Sequence, residues 1–222
     1  MNLTILYDNE VYKKGIGLKS DWGFACLVEI KDDTVLFDCG AKGDILLNNM
    51  HKLDVSPEKI TKIVISHEHW DHNGGLRTIL PYLNVSDIYR LERKRMNNRI
   101  KQKIVDEPQI ISEEIFTTGR LPGSPVDEQS LLLKSDMGWF VLVGCSHSGV
   151  ENILYAARQI GNVVGIIGGL HDFDNFSLLE NLEFISPCHC TKYKREIQQA
   201  FPTKYVPGGV GKTIDFTEEF TS

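Results

Sequence analysis

One run of six residues, His67-Glu68-His69-Trp70-Asp71-His72, gathers three of the chain's seven histidines around an aspartate. Imidazole nitrogen and carboxylate oxygen are side-chain donors for divalent metal ions, zinc above all where histidines dominate. At the extended end of a strand, residues two apart point the same way, so His67 and His69 can turn two imidazoles toward one ion. Asp71 and His72 lie beyond the turn and can address a second ion beside it. The chemistry on offer is activation of water. A bound divalent ion lowers the pKa of its water to about 7, and a pair roughly 3.5–4 Å apart can hold both a nucleophile and a developing oxyanion. Gly74-Gly75 follows at once and permits the tight backbone from which a helix can start. The competing reading is an exposed polar loop, and three histidines in six residues argue against it.

Other residues able to do chemistry are more scattered. His171 follows a buried-strand pattern and the Gly168-Gly169 turn, so it emerges at a strand end, either as a catalytic group or as a loop histidine bonded to backbone. His51 falls on a predicted helix and reads as surface. The five cysteines, Cys26, Cys39, Cys145, Cys188 and Cys190, are odd in number and lack paired zinc-ribbon spacing, which fits a reducing cytoplasm. Cys188-x-Cys190 is closer than the Cys-x-x-Cys of zinc or redox hairpins and reads first as two small buried side chains. Gly208-Gly209-Val210-Gly211-Lys212-Thr213 ends like a phosphate loop, but Val206 stands where the first glycine is required, so it reads as a turn near a C-terminal strand.

The elements that must position these groups follow from periodicity. Leu3 to Tyr7, Phe24 to Ile30 and Thr34 to Phe37 read as antiparallel strands separated by polar, glycine-rich turns. Ile45, Leu46, Met50 and Leu53 recur at helical spacing, and Ser56-Pro57 marks a new start. Ile60 to Ser66 is an apolar strand whose end delivers the histidine run, and a short helix follows through Leu83. Trp139 to Gly144 is a second buried strand, ending in Cys145-Ser146-His147. A helix from Val150 to Ile160, a strand from Val163 to Ile167, an amphipathic helix around Leu178 to Phe184 and a helix from Lys192 to Phe201 complete the chain. This order predicts an α/β fold of two halves packed sheet against sheet, in a single domain over residues 1–222.

Composition narrows the function. A hydrophobic fraction of 41%, a charged fraction of 24% and a net charge of −6 suit a globular protein with no global attraction to nucleic acid or anionic membrane. The opening Met1-Asn2-Leu3-Thr4-Ile5-Leu6-Tyr7 has no basic leader, and no run approaches a membrane span, which predicts a cytoplasmic protein. One dense basic stretch stands out: Arg90, Arg93, Lys94, Arg95, Arg99, Lys101 and Lys103. It reads first as a solvated helix face with Met96, Ile100 and Ile104 turned inward, and second as a cationic rim, through Arg93, Lys94 and Arg95, for a phosphate-bearing substrate. Aromatic residues do not interleave with these charges, so base stacking gains no support.

The pattern His67-x-His69-x-Asp71-His72 resembles the signature of the metallo-β-lactamase superfamily, and Val35-Leu36-Phe37-Asp38-Cys39-Gly40 resembles its upstream strand end. Gly144-Cys145-Ser146-His147-Ser148-Gly149, Gly168-Gly169-Leu170-His171 and Pro187-Cys188-His189-Cys190-Thr191 together resemble a subfamily. That subfamily includes a dihydropterin-linked ribofuranosylaminobenzene 5′-phosphate synthase. The resemblance implies a four-layer αββα sandwich holding two divalent ions, His67 and His69 on the first and Asp71, His72 and His189 on the second. Cys145 stands where the superfamily commonly has a bridging aspartate. It is read as a thiolate ligand or as a small buried side chain, the latter first, and His147, two residues on, is assigned to the first ion.

The expected activity is metal-dependent hydrolysis by a metal-bound hydroxide, oriented by Asp71 and assisted by His171, on a small anionic or phosphate-bearing substrate. Zinc is the first choice of metal, with manganese and iron as alternatives. The synthase reaction is the second enzymatic reading, and a non-catalytic metal-binding or ligand-sensing protein is the reading from another class.

Overall fold

The structure is a computed structural model describing residues 1–31, 33–96 and 100–216. These residues gather into two compact units, one of Met1–Asp106 with the segment from Gly209 onward, the other of Glu107–Gly208.

The first unit opens with three antiparallel strands, β1 (Asn2–Tyr7), β2 (Ala25–Ile30) and β3 (Asp33–Phe37). Helix α1 (Gly43–Lys52) then leads to β4 (Lys62–Val64), parallel to β3. Helices α2 (Trp70–Asn73) and α3 (Leu76–Ile79) lead on to β5 (Asp87–Arg90) and β6 (Lys101–Ile104), which extend the sheet in parallel. Ala25, Leu27, Leu36 and Ile63 share a buried core with Leu46 and Met50 of α1 and with Leu76 and Ile79 of α3. Each such Leu or Ile contributes about 1.5–3 kcal/mol by leaving water. Asn49 is a polar member of the buried face of α1, and it is satisfied. Its amide donates to the Leu6 and Lys19 carbonyls at 2.9 and 2.8 Å, and its oxygen accepts from Lys19 N at 2.9 Å, tying the β1–β2 connection to the helix.

The second unit repeats the plan. Strands β7 (Gln109–Ser112), β8 (Ile115–Thr117), β9 (Leu131–Ser135) and β10 (Gly138–Val143) are antiparallel neighbours. Helix α4 (Val150–Ile160) connects β10 to β11 (Val163–Gly169), and β12 (Phe184–Cys188) continues in parallel before α5 (Lys194–Ala200). Val150, Ile153, Leu154 and Ala157 form the buried stripe of α4 at the spacing of one helical face. The chain then returns to the first unit, where β13 (Thr213–Asp215) pairs antiparallel with β1. Among the described residues no helix is long and apolar enough to cross a membrane.

Two expected helices are corrected. The basic stretch is not a helix: Arg90 ends β5, Arg93 to Met96 are irregular, and Lys101–Ile104 is strand β6. The period is two there, with Lys101 and Lys103 exposed between the half-buried Gln102 and Ile104. Arg99 lies outside the described residues. The second expected helix, around Leu178 to Phe184, is a 3₁₀ turn at Phe176–Leu179 followed by β12. Pro187 sits within β12, the terminal strand of its sheet's ladder, where a missing N–H is tolerated.

Candidate metal-binding site

Parallel pairing of β3 with β4 sets their carboxyl ends side by side, with Phe37 opposite Val64. Asp38 follows β3, Ser66 and His67 follow β4, and all three are fully buried. Asp38 Oδ1 accepts the Ser66 backbone N–H at 2.7 Å, while Oδ2 accepts the Ser66 hydroxyl and the His72 Nδ1–H, each at 2.7 Å. Ser66 Oγ lies 2.9 Å from His67 Nδ1. The serine proton is committed to Asp38, so Nδ1 of His67 must be the donor. One carboxylate therefore sets two tautomers, and in the neutral imidazoles the lone pair of both His67 and His72 lies on Nε2. Metal-binding histidines are oriented in this way by the hydrogen bond at their other nitrogen.

His67 Nε2 and His69 Nδ1 stand 3.1 Å apart. Two nitrogen ligands at ordinary zinc distances on a tetrahedral ion lie about 3.4 Å apart, so this pair fits a shared divalent cation. The His67 and His72 ring centroids are 4.1 Å apart. Asp71 Oδ2 accepts the Trp22 indole N–H at 2.8 Å and lies 3.9 Å from His72 Nε2. The backbone beneath this loop leaves no room for side chains. A Cβ on Gly75 would fall 2.2 Å from the Cys39 carbonyl, and one on Gly23, at φ +140°, 2.5 Å from that of Asp71. Glu68 faces away from this group: Arg90, itself buried, grips its carboxylate through Nε at 3.0 Å and Nη2 at 2.7 Å, and Asn73 adds a bond at 2.8 Å. Burial pushes the Cys39 thiol well above its usual range, with the Asp38 charge adding to the effect, so this cysteine is a protonated packing group.

In the second unit the donors emerge beyond three adjacent parallel strands. After β10, the carboxylate of Glu128, fully buried, accepts the backbone N–H groups of Cys145, Ser146 and His147 at 2.8, 3.2 and 2.6 Å. The Ser146 hydroxyl donates to the Gly169 carbonyl at 2.7 Å, joining this loop to the end of β11. His171, beyond β11, has its ring centroid 4.6 Å from that of His147. Cys145, His147 and His171 bring their ligand atoms within 4.8 Å of one another, and Cys145, His189 and Cys190 do the same. A sulfur and nitrogen set of this kind suits zinc or another borderline ion. Cys188 is buried with its thiol directed to the Ser186 carbonyl at 3.3 Å, whereas Cys190 is half-buried.

Thus His67, His69, Asp71 and His72 are neighbours in one unit, and Cys145, His147, His171 and His189 are neighbours in the other. His51 is exposed, as expected. Arg93, Lys94 and Arg95 are exposed on the first unit, with Lys94 bound to Glu92 at 2.8 Å. Sequence reasoning gave no role to Asp38, Ser66, Trp22 or Glu128. The one available signal was Asp38, a charge ending an apolar strand.

The sequence model of the metallo-beta-lactamase superfamily matches residues 23–176. An uncharacterised protein of Methanocaldococcus jannaschii, MJ0448, is 28% identical, with 96% of this chain and 99% of that protein covered. The same organism's 7,8-dihydropterin-6-methyl-4-(beta-D-ribofuranosyl)-aminobenzene-5'-phosphate synthase is 24% identical, covering 89% of this chain and 90% of the synthase. Among solved structures, Tm1679, a metal-dependent hydrolase of the beta-lactamase superfamily, superposes with a TM-score of 0.75 at 26% identity, covering 97% of this chain and 98% of the other.

Proposed function

Because the chain belongs to the metallo-beta-lactamase superfamily, we propose that it is a metal-dependent hydrolase, working as one domain on a small anionic or phosphate-bearing compound. The observation that carries this reading is the bond network of Asp38, which leaves Nε2 of His67 and His72 with lone pairs next to the His67–His69 pair. In this reading His67, His69 and His147 hold one divalent ion, and Asp71, His72 and His189 hold the other. Zinc suits the histidine-rich set first, with manganese and iron as alternatives. Such ions supply activation of water and stabilisation of an oxyanion.

The chain's own residues then have distinct tasks. Asp71, with Oδ2 anchored by Trp22, orients the attacking water. His171 delivers a proton to the leaving group or grips the substrate, and Glu128 holds the backbone from which His147 projects. Cys145 is a ligand or a packing residue beside them. The similarity to a dihydropterin-linked synthase favours one second reading, condensation of a phosphorylated ribosyl compound with a dihydropterin.

The test is turnover of a phosphodiester, a phosphomonoester, a thioester and a β-lactam by the metal-loaded protein, by the same preparation after chelation, and after metal is restored. Metal-dependent hydrolysis of a phosphorylated substrate is expected. Condensation without hydrolysis establishes the synthase reading, and full metal content with no turnover at all reduces the protein to a metal-binding or sensing role.

A further inference from the structure

In the first unit a cavity of about 700 Å³ opens beside the histidine loop, between α3 and the segment that follows β5. We propose that it binds the anionic end of a small organic ligand that also has an apolar body. The volume is in the range of small-molecule sites, and the lining has the required mixture of apolar wall and a few polar groups. Leu76, Leu80 and Met96 supply the apolar wall. The charge comes from Arg77, Arg90, Lys94 and Arg95, against one lining carboxylate among the described residues, Glu68.

These charges are not equivalent. Glu68 is matched by Arg90 in a two-point ion pair, so that pair forms a fixed and nearly neutral part of the wall. Lys94 is shared with Glu92 at 2.8 Å. Among the described residues no carboxylate pairs with Arg77 or Arg95, and both are exposed. Two guanidinium groups are therefore available to a carboxylate or phosphoryl group, the anions their planar fork fits in bidentate fashion. In a chain of net charge −6 this positive field is local and suits a short ligand, not a polyanion. Arg93 does not line the cavity, so the cationic rim read from the sequence shifts to Arg77, Lys94 and Arg95.

Glu68 belongs both to the cavity wall and to the run that bears the metal-ligand candidates, and Asn73, which bonds it, follows that run directly, so the cavity borders the outer side of the histidine loop. The inference deepens the proposed function by naming where the substrate's charged end sits. It rests on that reading for the link to catalysis, but not for binding.

Binding is therefore measured without turnover, by isothermal titration of the metal-loaded protein with phenylphosphonate, an anion with no ester bond to hydrolyse. Inorganic phosphate and phenol serve as the charge-only and apolar-only arms. Phenylphosphonate should saturate and bind more tightly than either. Joint Arg77→Ala and Arg95→Ala substitution should weaken it by about tenfold or more, as expected for losing charge-assisted bonds. Met96→Ser should weaken phenylphosphonate and leave phosphate unchanged, and Arg93→Ala should leave both unchanged. Metal content and melting temperature of each variant verify that the histidine loop is intact. No saturation, an unaffected double variant, equal loss from Arg93→Ala, or phosphate binding as tightly as phenylphosphonate would overturn the proposal. Binding that behaves as expected in a protein with no turnover would instead refute the hydrolase reading alone.

Discussion

Replacing Asp38 by asparagine exchanges one buried carboxylate oxygen for an NH2 group, and the hydrogen-bond pattern allows the consequence to be worked out for either orientation of the amide. If nitrogen takes the Oδ2 position, it faces the Ser66 hydroxyl and the His72 Nδ1–H, which now donate at 2.7 Å contacts. His72 then changes tautomer, and its Nε2 carries a proton where a lone pair is needed. If nitrogen takes the Oδ1 position, the Ser66 backbone N–H loses its 2.7 Å acceptor, a buried loss worth about 1–3 kcal/mol. Either orientation also removes the negative charge that makes the imidazole a better donor. Loss of an outer partner of this kind typically costs about 10–100-fold in metal affinity, or roughly 1.4–2.7 kcal/mol at 1.36 kcal/mol per decade. Asp38 has φ +58°, a conformation asparagine also adopts readily, so backbone strain does not confuse the comparison. Competition with a chromogenic chelator gives the affinity, and urea unfolding gives the stability. A folded Asp38→Asn protein that binds metal as tightly as the wild type would refute the assignment of Asp38 as the residue that sets both tautomers.

Three further outcomes are expected. His147→Ala should lose most affinity for one metal equivalent whereas Cys145→Ser keeps it, and the reverse order in chelator competition would make the thiolate the ligand. Glu128→Gln sets an NH2 group against either the His147 N–H or the Cys145 and Ser146 N–H pair, because only one of the two carboxylate oxygens survives as an acceptor, and should lower unfolding free energy by about 1.5–3 kcal/mol in urea titration; an unchanged midpoint would contradict the clamp. Burial, with the Asp21 charge behind it, pushes the Tyr7 phenol up to about 12. An acid whose folded pKa is raised contributes stability that is complete below its unfolded value near 10 and lost as pH climbs toward 12, so Tyr7→Phe should flatten the alkaline limb of the stability curve over that interval, and an identical limb in both proteins would exclude Tyr7 as its source.

The residues differ in how far the sequence disclosed them, and the difference is physical. Helix α4 was legible to the residue because Val150, Ile153, Leu154 and Ala157 fill one face and nothing competes with that period. Strands β1 to β3 were legible as apolar runs between turns. Strand β6 was not, because Lys101 and Lys103 alternate out of a strand of only four residues, and Met96, Ile100 and Ile104 happen to share a four-residue spacing that imitates a helix. The histidine run was legible because rare residue types clustered within one turn of chain. Glu128 was invisible for the opposite reason: it reaches backbone N–H groups 17 to 19 positions away, and a bond to backbone leaves no mark on the sequence of its partner.

Backbone conformation adds a signal that residue types alone do not carry. Five non-glycine residues among those described have positive φ, and four of them, Asp38, Ser146, His171 and His189, fall just beyond the ends of β3, β10, β11 and β12. Each such residue costs on the order of 1–3 kcal/mol and persists only where the surroundings hold it. At Asp38 the holding partners are Ser66 and His72, and at Ser146 they are Glu128 and the Gly169 carbonyl. His171, at φ +48°, shares the feature with His189 and with the residue that fixes the tautomers. That parity sets His171 among the strand-end residues to which the proposed function gives tasks.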